Sequence, residues 1–475
     1  MRHRPWVAPL LFFLLAIAVR WGSFSVSVIN HDESTYIVGA DELLRGEVYL
    51  RDVIDTKPVG IFWLYAILIK LTGGSIWMLR LAATAFIALG AWLLSVVARR
   101  ATGRLTAGYV AGVVYILMCS VYTYYGMSPN TEIFFNVFTI GAVAVTVVAE
   151  RKHWAVAGLL LGVGCVIKPF VAAEALAIGL YLVWWYRRKP FPMIANGLLL
   201  VGGFLLPVLA VVGYYASHGL LPDLHFYTVE VAAAYPVELS WPLRLKFMGD
   251  YLLRYSPFIL LGVAAQVQGE FGTARQRWLV YLALQAVLVA VVVLLTGKRF
   301  GHYQIQLHPV VALYVGTCVG LVWDDLLRRR WVPGAVAIVG LGLGIGHAVY
   351  YAGKGDQPRA IAHEMEELMD ADKTFFGING FQIVHHLMDR PVPAPYIHSS
   401  LMFLDHHIEA FQIDVPATTR SVITNPDVGY LLLRTRDEEG RTPLTDTLMR
   451  YFEYYRPIDS CCELYRRKAD SLPQD

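Results

Sequence analysis

The sequence has little charge. Of its 475 residues only 16% are Asp, Glu, Lys or Arg, whereas 56% are hydrophobic, and the mean hydropathy is +0.49. Soluble domains carry about 25% charged residues, so a wholly soluble protein is excluded. The charges nearly cancel, to a net charge of +3, and they form no basic stripe of the kind that binds nucleic acid. Nucleic acid is therefore excluded as a partner.

Cysteine is also scarce. Cys119, Cys165 and Cys318 lie inside apolar runs, and Cys461 is followed directly by Cys462. This set forms neither a disulfide framework nor a metal knuckle. Adjacent cysteines bond to each other only with strain, so we expect two free thiols at 461 and 462. No zinc-ligand spacing occurs, so the sequence supports no metal and no certain cofactor, although it leaves a divalent metal open.

What the sequence has in abundance is long apolar runs, which recur from Trp6 to Tyr351. A membrane-spanning helix needs about 20 mostly apolar residues. The first run follows a basic start but has no small-residue cleavage site after it, so we interpret it as a span. Loops rich in Lys and Arg are assigned to the cytoplasm, and they lie at Arg2 and Arg4, 99–104, 151–152, 187–189 and 328–330, with a weaker one at 275–277.

These loops fix the topology, because an even number of crossings must separate them. The run 59–71 is short and contains Lys70, so we place it on the outer surface as an interfacial helix. Eleven spans remain, at about 6–24, 75–98, 106–122, 133–149, 154–167, 171–186, 194–216, 255–269, 278–296, 306–323 and 332–351. The N-terminus is then cytoplasmic. We expect a multi-pass protein of the inner (plasma) membrane.

The C-terminal part of the chain differs in composition. Residues 1–351 form the predicted membrane module, and residues 352–475 are polar and are predicted to form a periplasmic or extracellular α/β domain. Strands are predicted at Thr374–Ile378 and at 430–433. Helices are predicted at 361–369 and 448–455.

Two external motifs follow the first span. Asp32 and Glu33 are adjacent carboxylates at the membrane boundary, where a poorly solvated carboxylate suits a general base. The alternative is a solvated charge pair that ends the span. Lys57, with Pro58 at a helix start, is placed to hold a lipid phosphate. The alternative is a lysine anchored to headgroups.

Three further segments contain candidate residues. Asn130 and Glu132 begin the fourth span, where a carboxylate usually faces a cavity and binds polar ligands, although an ordinary helix cap explains them equally well. Lys168 lies between two spans and is a functional candidate by its location. Arg299 and Tyr303, in a short external turn, suit a phosphate group, with simple headgroup contacts as the alternative.

The order of these motifs resembles the GT-C superfamily of membrane glycosyltransferases. The motifs are Asp32-Glu33, Lys57-Pro58 before a Trp-bearing helix, 129–132 (Pro-Asn-Thr-Glu) and Arg299-Phe-Gly-His302-Tyr303. They resemble most the bacterial relatives of protein O-mannosyltransferases and of the lipid A aminoarabinose transferase, in glycosyltransferase family 39. The resemblance covers residues 1–350. It implies a polytopic helical membrane protein of GT-C type with external juxtamembrane helices.

The resemblance also implies roles for single residues. Asp32 would be the catalytic base, with Glu33 assisting, and Lys57 would bind the phosphate of the carrier lipid. Arg299, His302 and Tyr303 would lie near the same phosphate. Two departures are that Val59 replaces a second proline after Lys57, and that Thr56 stands where metal-dependent relatives have an acidic residue. The second departure argues against a metal.

The function implied is transfer of a hexose or pentose from a polyprenyl-phosphate donor to a lipid, glycan or protein acceptor, with inversion at the sugar. A transporter or flippase for a lipid-linked sugar is the alternative, and Glu132 and Lys168 fit it best. Transporters, however, usually carry internal repeats and midplane sites, and this sequence has no repeat. A structural membrane protein would not require clustered external charges.

Overall fold

The computed structural model describes residues 6–234, 239–378, 380–398, 401–434 and 443–469. Arg2 and Arg4, which support the predicted cytoplasmic N-terminus, lie outside these ranges. The described chain is mostly helical, with one four-stranded sheet in its C-terminal part.

The helices, numbered in chain order, have the following bounds. The first eleven are α1 Val7–Arg20, α2 His31–Arg45, α3 Val59–Thr72, α4 Ile76–Thr102, α5 Leu105–Met118, α6 Thr131–Val145, α7 Trp154–Ile167, α8 Ala172–Tyr186, α9 Pro190–Ser217, α10 Leu221–His225 and α11 Val231–Ala234. The others are α12 Trp241–Arg254, α13 Ser256–Gln268, α14 Thr273–Leu295, α15 His308–Val322, α16 Trp331–Lys354, α17 Gln357–Leu368, α18 Ile383–Leu387, α19 Asp405–Phe411, α20 Val415–Thr424 and α21 Pro443–Leu448.

Each predicted span coincides with one helix, namely α1, α4 to α9 and α13 to α16. Within the described ranges, six helical segments are long and apolar enough to cross a membrane by length and composition. Shorter apolar helices, such as α5 and α7, accompany them. The polytopic helical architecture is confirmed, whereas the count of eleven crossings stays a prediction.

The chain divides into two compact units. The first unit consists of Met1–Ser25, Ile76–Gly213 and Val237–Gly353, and the second of Val26–Ser75, Tyr214–Pro236 and Lys354–Asp475. The second unit thus combines the polar C-terminal part of the chain with two earlier segments. The boundary at residue 351, drawn from composition, stays a prediction.

Small residues let the helices of the first unit approach closely. A Cβ added at Gly316 would lie 2.6 Å from the carbonyl oxygen of Ala107, and one at Gly320 would lie 2.3 Å from the Ala107 nitrogen. Helices that pack inside a membrane gain contact area at such positions. The α5 and α15 backbones therefore touch where a larger side chain would separate them.

The buried side chain of an arginine at the end of α1 forms hydrogen bonds with the loop between α5 and α6. Arg20 is 1% exposed, and its guanidinium donates to the carbonyl oxygens of Cys119 (2.7 Å), Gly126 (2.9 Å) and Met127 (2.9 Å). A guanidinium carries five N–H donors in a fixed fork, which matches these acceptors. Arg20 was not a candidate from the sequence, because its partners are backbone atoms of a loop that is distant in the chain.

The sheet of the second unit has the strand order β1-β2-β4-β3, with β1 Thr374–Ile378, β2 Val428–Arg434, β3 Phe452–Ile458 and β4 Cys462–Arg467. β1 pairs with β2 in parallel, and the other pairs are antiparallel. The two predicted strands and the small α/β domain are confirmed. The helix predicted over 448–455 is wrong, because β3 begins at Phe452 and pairs with β4.

Cys461 and Cys462 form a disulfide at the turn between β3 and β4. The expectation of free thiols is therefore corrected. The turn brings two consecutive side chains together at a buried position, which sequence spacing did not indicate.

Helix α18 packs on α2 within the second unit through polar contacts. Nδ1 of His386 lies 2.6 Å from Oδ2 of Asp41, and its Nε2 lies 2.9 Å from the carbonyl oxygen of Gly74. Gln382 donates from Nε2 to Oγ1 of Thr35 at 3.0 Å. A carboxylate and a carbonyl can only accept, so both ring nitrogens of His386 donate and the imidazole is held in its charged form.

Candidate active site

A lysine lies between two carboxylates in the second unit. Nζ of Lys57 is 3.1 Å from Oδ1 of Asp32 and 4.0 Å from Oδ2 of Asp55. The Lys57 and Asp32 side chains are each 15% exposed, whereas that of Asp55 is 1% exposed. Two residues from separate predicted motifs, Asp32 and Lys57, are therefore brought together, with Asp55 as a third member.

The local sequence explains the position of Asp32. Asn30 caps α2, since its side-chain oxygen accepts a hydrogen bond from the backbone nitrogen of Asp32 at 3.2 Å. Acidic residues in the first turn favour a helix start. Glu33 is 1% exposed and accepts from the backbone nitrogen of Ile29 at 3.2 Å. The adjacent carboxylates thus have different surroundings, and Asp32 is the one seen 3.1 Å from Nζ of Lys57.

The segment that carries Lys57 is anchored on both sides. The hydroxyl of Tyr49 lies within hydrogen-bond distance of the carbonyl oxygens of Asp55 (3.1 Å) and Lys57, between which its single proton is shared. The backbone nitrogen of Ile54 donates to the carbonyl oxygen of Pro395 at 2.7 Å. Tyr49 itself is buried. The backbone that presents Lys57 before α3 is therefore fixed by the interior of the unit.

His398 was missed by sequence analysis. Its ring centroid lies 6.3 Å from that of His31, and it lines a cavity of about 30 Å³ together with Gln382 and Tyr396. Desolvation lowers the pKa of His398, while the charge of Asp55 opposes this shift. The sequence held no signal for His398, which lies more than 300 residues beyond Lys57. Asp55 was missed although it stands two residues before the lysine.

A second cluster lies in the first unit. Lys168 forms an ion pair with Glu132, and both side chains are at most 5% exposed. Nζ of Lys168 also lies 3.9 Å from the ring centroid of Tyr303 and 4.7 Å from that of Phe170. Three predicted residues, Glu132, Lys168 and Tyr303, are therefore brought together. They come from α6, from the turn after α7 and from the 3-10 helix Gly301–Leu307.

The segments that carry this cluster contain other buried polar groups. Asn130 and Ser128 are fully buried, and within the described ranges Oδ1 and Nδ2 of Asn130 and Oγ of Ser128 have no hydrogen-bond partner. Asn130 precedes α6, but among these residues its side chain makes no capping bond. The capping alternative therefore does not account for Asn130. Gln306 donates to Glu174 at 2.6 Å.

The remaining candidates of the external turn differ in exposure. Arg299 is exposed, whereas His302 is 5% exposed and its ring lies 4.7 Å from that of Tyr303. Tyr303 is thus oriented towards Lys168 and His302, at the start of the 3-10 helix. Over the residues that the structure describes, no group of three or more His, Cys, Asp or Glu side chains is arranged to hold a metal ion.

The chain is similar to known proteins in sequence family and in fold. A family model described as dolichyl-phosphate-mannose-protein mannosyltransferase matches residues 56–215, a range that includes Lys57, Glu132 and Lys168 but excludes Asp32 and Arg299. A comparison with curated protein sequences gave no match.

Solved structures match over the whole chain. ArnT from Cupriavidus metallidurans is similar in its apo state, with a TM-score of 0.68, and bound to undecaprenyl phosphate, with a TM-score of 0.67. Both are 14% identical to this chain, and 99% of each chain is covered. The oligosaccharyltransferase AglB from Archaeoglobus fulgidus, in complex with an inhibitory peptide and a dolichol-phosphate, has a TM-score of 0.52 and 11% identity. The match covers all of this chain and 75% of AglB. This chain therefore shares the fold of ArnT, which confirms the predicted polytopic architecture of GT-C type.

Proposed function

We propose that this protein is a glycosyltransferase that moves a sugar from a polyprenyl-phosphate donor to a lipid, glycan or protein acceptor on the outer face of the membrane. The observation that carries the proposal is the contact between Lys57 and Asp32. This contact joins a cation suited to phosphate and a carboxylate suited to proton transfer. The ArnT structure with undecaprenyl phosphate supports the choice of carrier.

In the proposed reaction Asp32 takes the proton from the acceptor hydroxyl or amine. The acceptor atom attacks the anomeric carbon, the bond from that carbon to the phosphate oxygen breaks, and polyprenyl phosphate leaves with the electron pair, so the sugar inverts. Lys57 offsets the charge that builds on the leaving phosphate. The resemblance supports a phosphate role for Arg299, His302 and Tyr303, and a role for Glu33 in assisting Asp32.

The test is transfer of radiolabelled sugar from a panel of polyprenyl-phosphate sugars to membrane extract. We expect the wild type to transfer and both Asp32→Asn and Lys57→Ala to lose activity. Insertion and yield of both variants are measured, because Lys57→Ala leaves the buried Asp55 without its cation. Matched controls are Asp52→Asn, which removes a partly exposed carboxylate paired with Arg51, and Lys70→Ala, which removes an exposed lysine of α3. If Asp32→Asn transfers sugar at the wild-type rate, the proposed role of Asp32 is contradicted.

One observation favours a second function. The ion pair of Glu132 and Lys168 is buried in the unit that holds the long apolar helices, and such pairs often mark transport pathways. A transporter or flippase for a lipid-linked sugar would move its substrate across vesicles without consuming it. If no donor in the panel is consumed and vesicle uptake depends on Lys168, transport replaces transfer as the function.

A further inference from the structure

Lys57 lies beside two carboxylates that differ in exposure. One ammonium faces two carboxylates, at 3.1 Å (Asp32) and 4.0 Å (Asp55). The Lys57 ammonium also lies 3.0 Å from Oγ1 of Thr56. A base that is ion-paired holds protons weakly, because the neighbouring cation favours its charged form. In this arrangement Asp32 is therefore a poor proton acceptor, and Lys57 is already occupied by an anion.

The two carboxylates are not equivalent. The Asp55 side chain is 1% exposed, and it accepts a hydrogen bond from the backbone nitrogen of Lys57 at 3.3 Å. Its Oδ1 has no hydrogen-bond partner among the described residues. A buried carboxylate needs a counterion, so Asp55 holds Lys57 whatever else binds. Asp32, at 15% exposure, is the partner that an incoming anion can displace.

We propose that Asp32 and the phosphate of the donor compete for Lys57, so that phosphate binding frees Asp32 to accept the proton of the acceptor. Asp55 keeps the ammonium in place during the exchange. The inference rests on the proposed function and deepens it, because it couples activation of the acceptor to occupancy by the donor. Asp32 would not activate an acceptor while the donor position is empty.

The test is binding of undecaprenyl phosphate to the full chain in nanodiscs, without any transfer reaction. Competition predicts that Asp32→Asn binds this lipid more tightly than the wild type, by roughly fivefold, the strength of a partly exposed ion pair. Asp52→Asn, which removes a carboxylate paired with Arg51, should bind like the wild type. The same preparation of Asp32→Asn should fail to transfer sugar.

A double-variant comparison separates competition from a general effect of charge. In a Lys57→Gln background, measured at higher lipid concentration, Asp32→Asn should no longer change the affinity, because there is no ammonium to compete for. If Asp32→Asn still raises the affinity for the lipid in that background, the proposal is overturned. It is also overturned if the Asp32→Asn single variant binds the lipid no more tightly than the wild type. If the folded wild type binds undecaprenyl phosphate no better than a phosphatidic acid, the proposed donor class itself is wrong.

Discussion

Lys168 and Glu132 form a buried ion pair, with Tyr303 lying over the ammonium at 3.9 Å from its ring centroid. Breaking a buried pair by removing one partner leaves an unpaired charge in a poorly solvated interior. Lys168→Met or Glu132→Gln alone should therefore lower the free energy of unfolding by about 3–5 kcal/mol.

The double variant Glu132→Gln/Lys168→Met should recover most of this loss, because both charges are removed together. The measurement is thermal unfolding in detergent of the wild type, the two single variants and the double variant. If the double variant loses the sum of the two single effects, the residues do not act as a pair.

Tyr303 offers a prediction that separates its ring from its hydroxyl. Tyr303→Leu removes the aromatic face next to Lys168 and should cost about 1–2 kcal/mol of stability. Tyr303→Phe keeps that face and should unfold at a higher temperature than Tyr303→Leu. If the hydroxyl contacts the donor phosphate, Tyr303→Phe loses transfer activity while it remains folded. Equal unfolding temperatures for Leu and Phe would contradict the ring contact.

Arg20, the one cation of the first predicted span, should be sensitive even to a change that keeps its charge. Arg20→Lys keeps the charge but loses the fork that reaches the carbonyl oxygens of Cys119, Gly126 and Met127. Each lost bond to a charged donor is worth about 1.5–3 kcal/mol, so we expect a clear drop in unfolding temperature. Arg99→Lys, at an exposed position in α4, is the matched control and should change little. Equal effects at both positions would contradict the prediction.

The His386 contact predicts a pH dependence of stability in the second unit. Burial opposes protonation of His386, but the hydrogen bond and charge of Asp41 outweigh it and raise its pKa, with Asp389 adding to the effect. The stabilisation is therefore complete below the unfolded histidine pKa of about 6.5. It disappears as the pH rises through the higher folded value.

Thermal unfolding of the wild type and His386→Gln from pH 5.5 to 8.5 tests this. The wild type should exceed the variant most at the acid end, and the difference should shrink towards pH 8.5. Asp41→Asn should reduce the difference in the same way, because it removes the carboxylate that holds the proton. A difference that grows with pH would show that His386 is bound neutral.

Much of the fold followed from local pattern. The apolar runs placed helices at all eleven predicted spans, since burial in a bilayer imposes a strong and continuous signal. The strands predicted from short apolar runs at 374–378 and 430–433 correspond to β1 and to the centre of β2. The helix expected over 448–455 failed, because pairing with β4 decided the conformation of β3 and local pattern did not.

The candidate site was predicted only in part. Asp32, Lys57, Glu132 and Lys168 stood out because a charge near or within a membrane is costly and needs a reason. The sequence did not indicate which of them meet. Glu33, adjacent to Asp32, accepts a hydrogen bond from the backbone of Ile29. Asp55 precedes Lys57 by two residues, whereas His398 lies far along the chain, where no motif marked it.

The sequence by itself determined that this protein is built for a membrane, and it determined the residue types of the candidate site. Hydropathy and charge are local properties that the chain carries before it folds. Only the tertiary structure decided the pairings: Lys57 with Asp32 and Asp55, and Lys168 with Glu132 and Tyr303. Charges separated by 25 or 36 residues meet only after the helices pack. The free energy of such a contact depends on distance and burial, which sequence spacing does not contain.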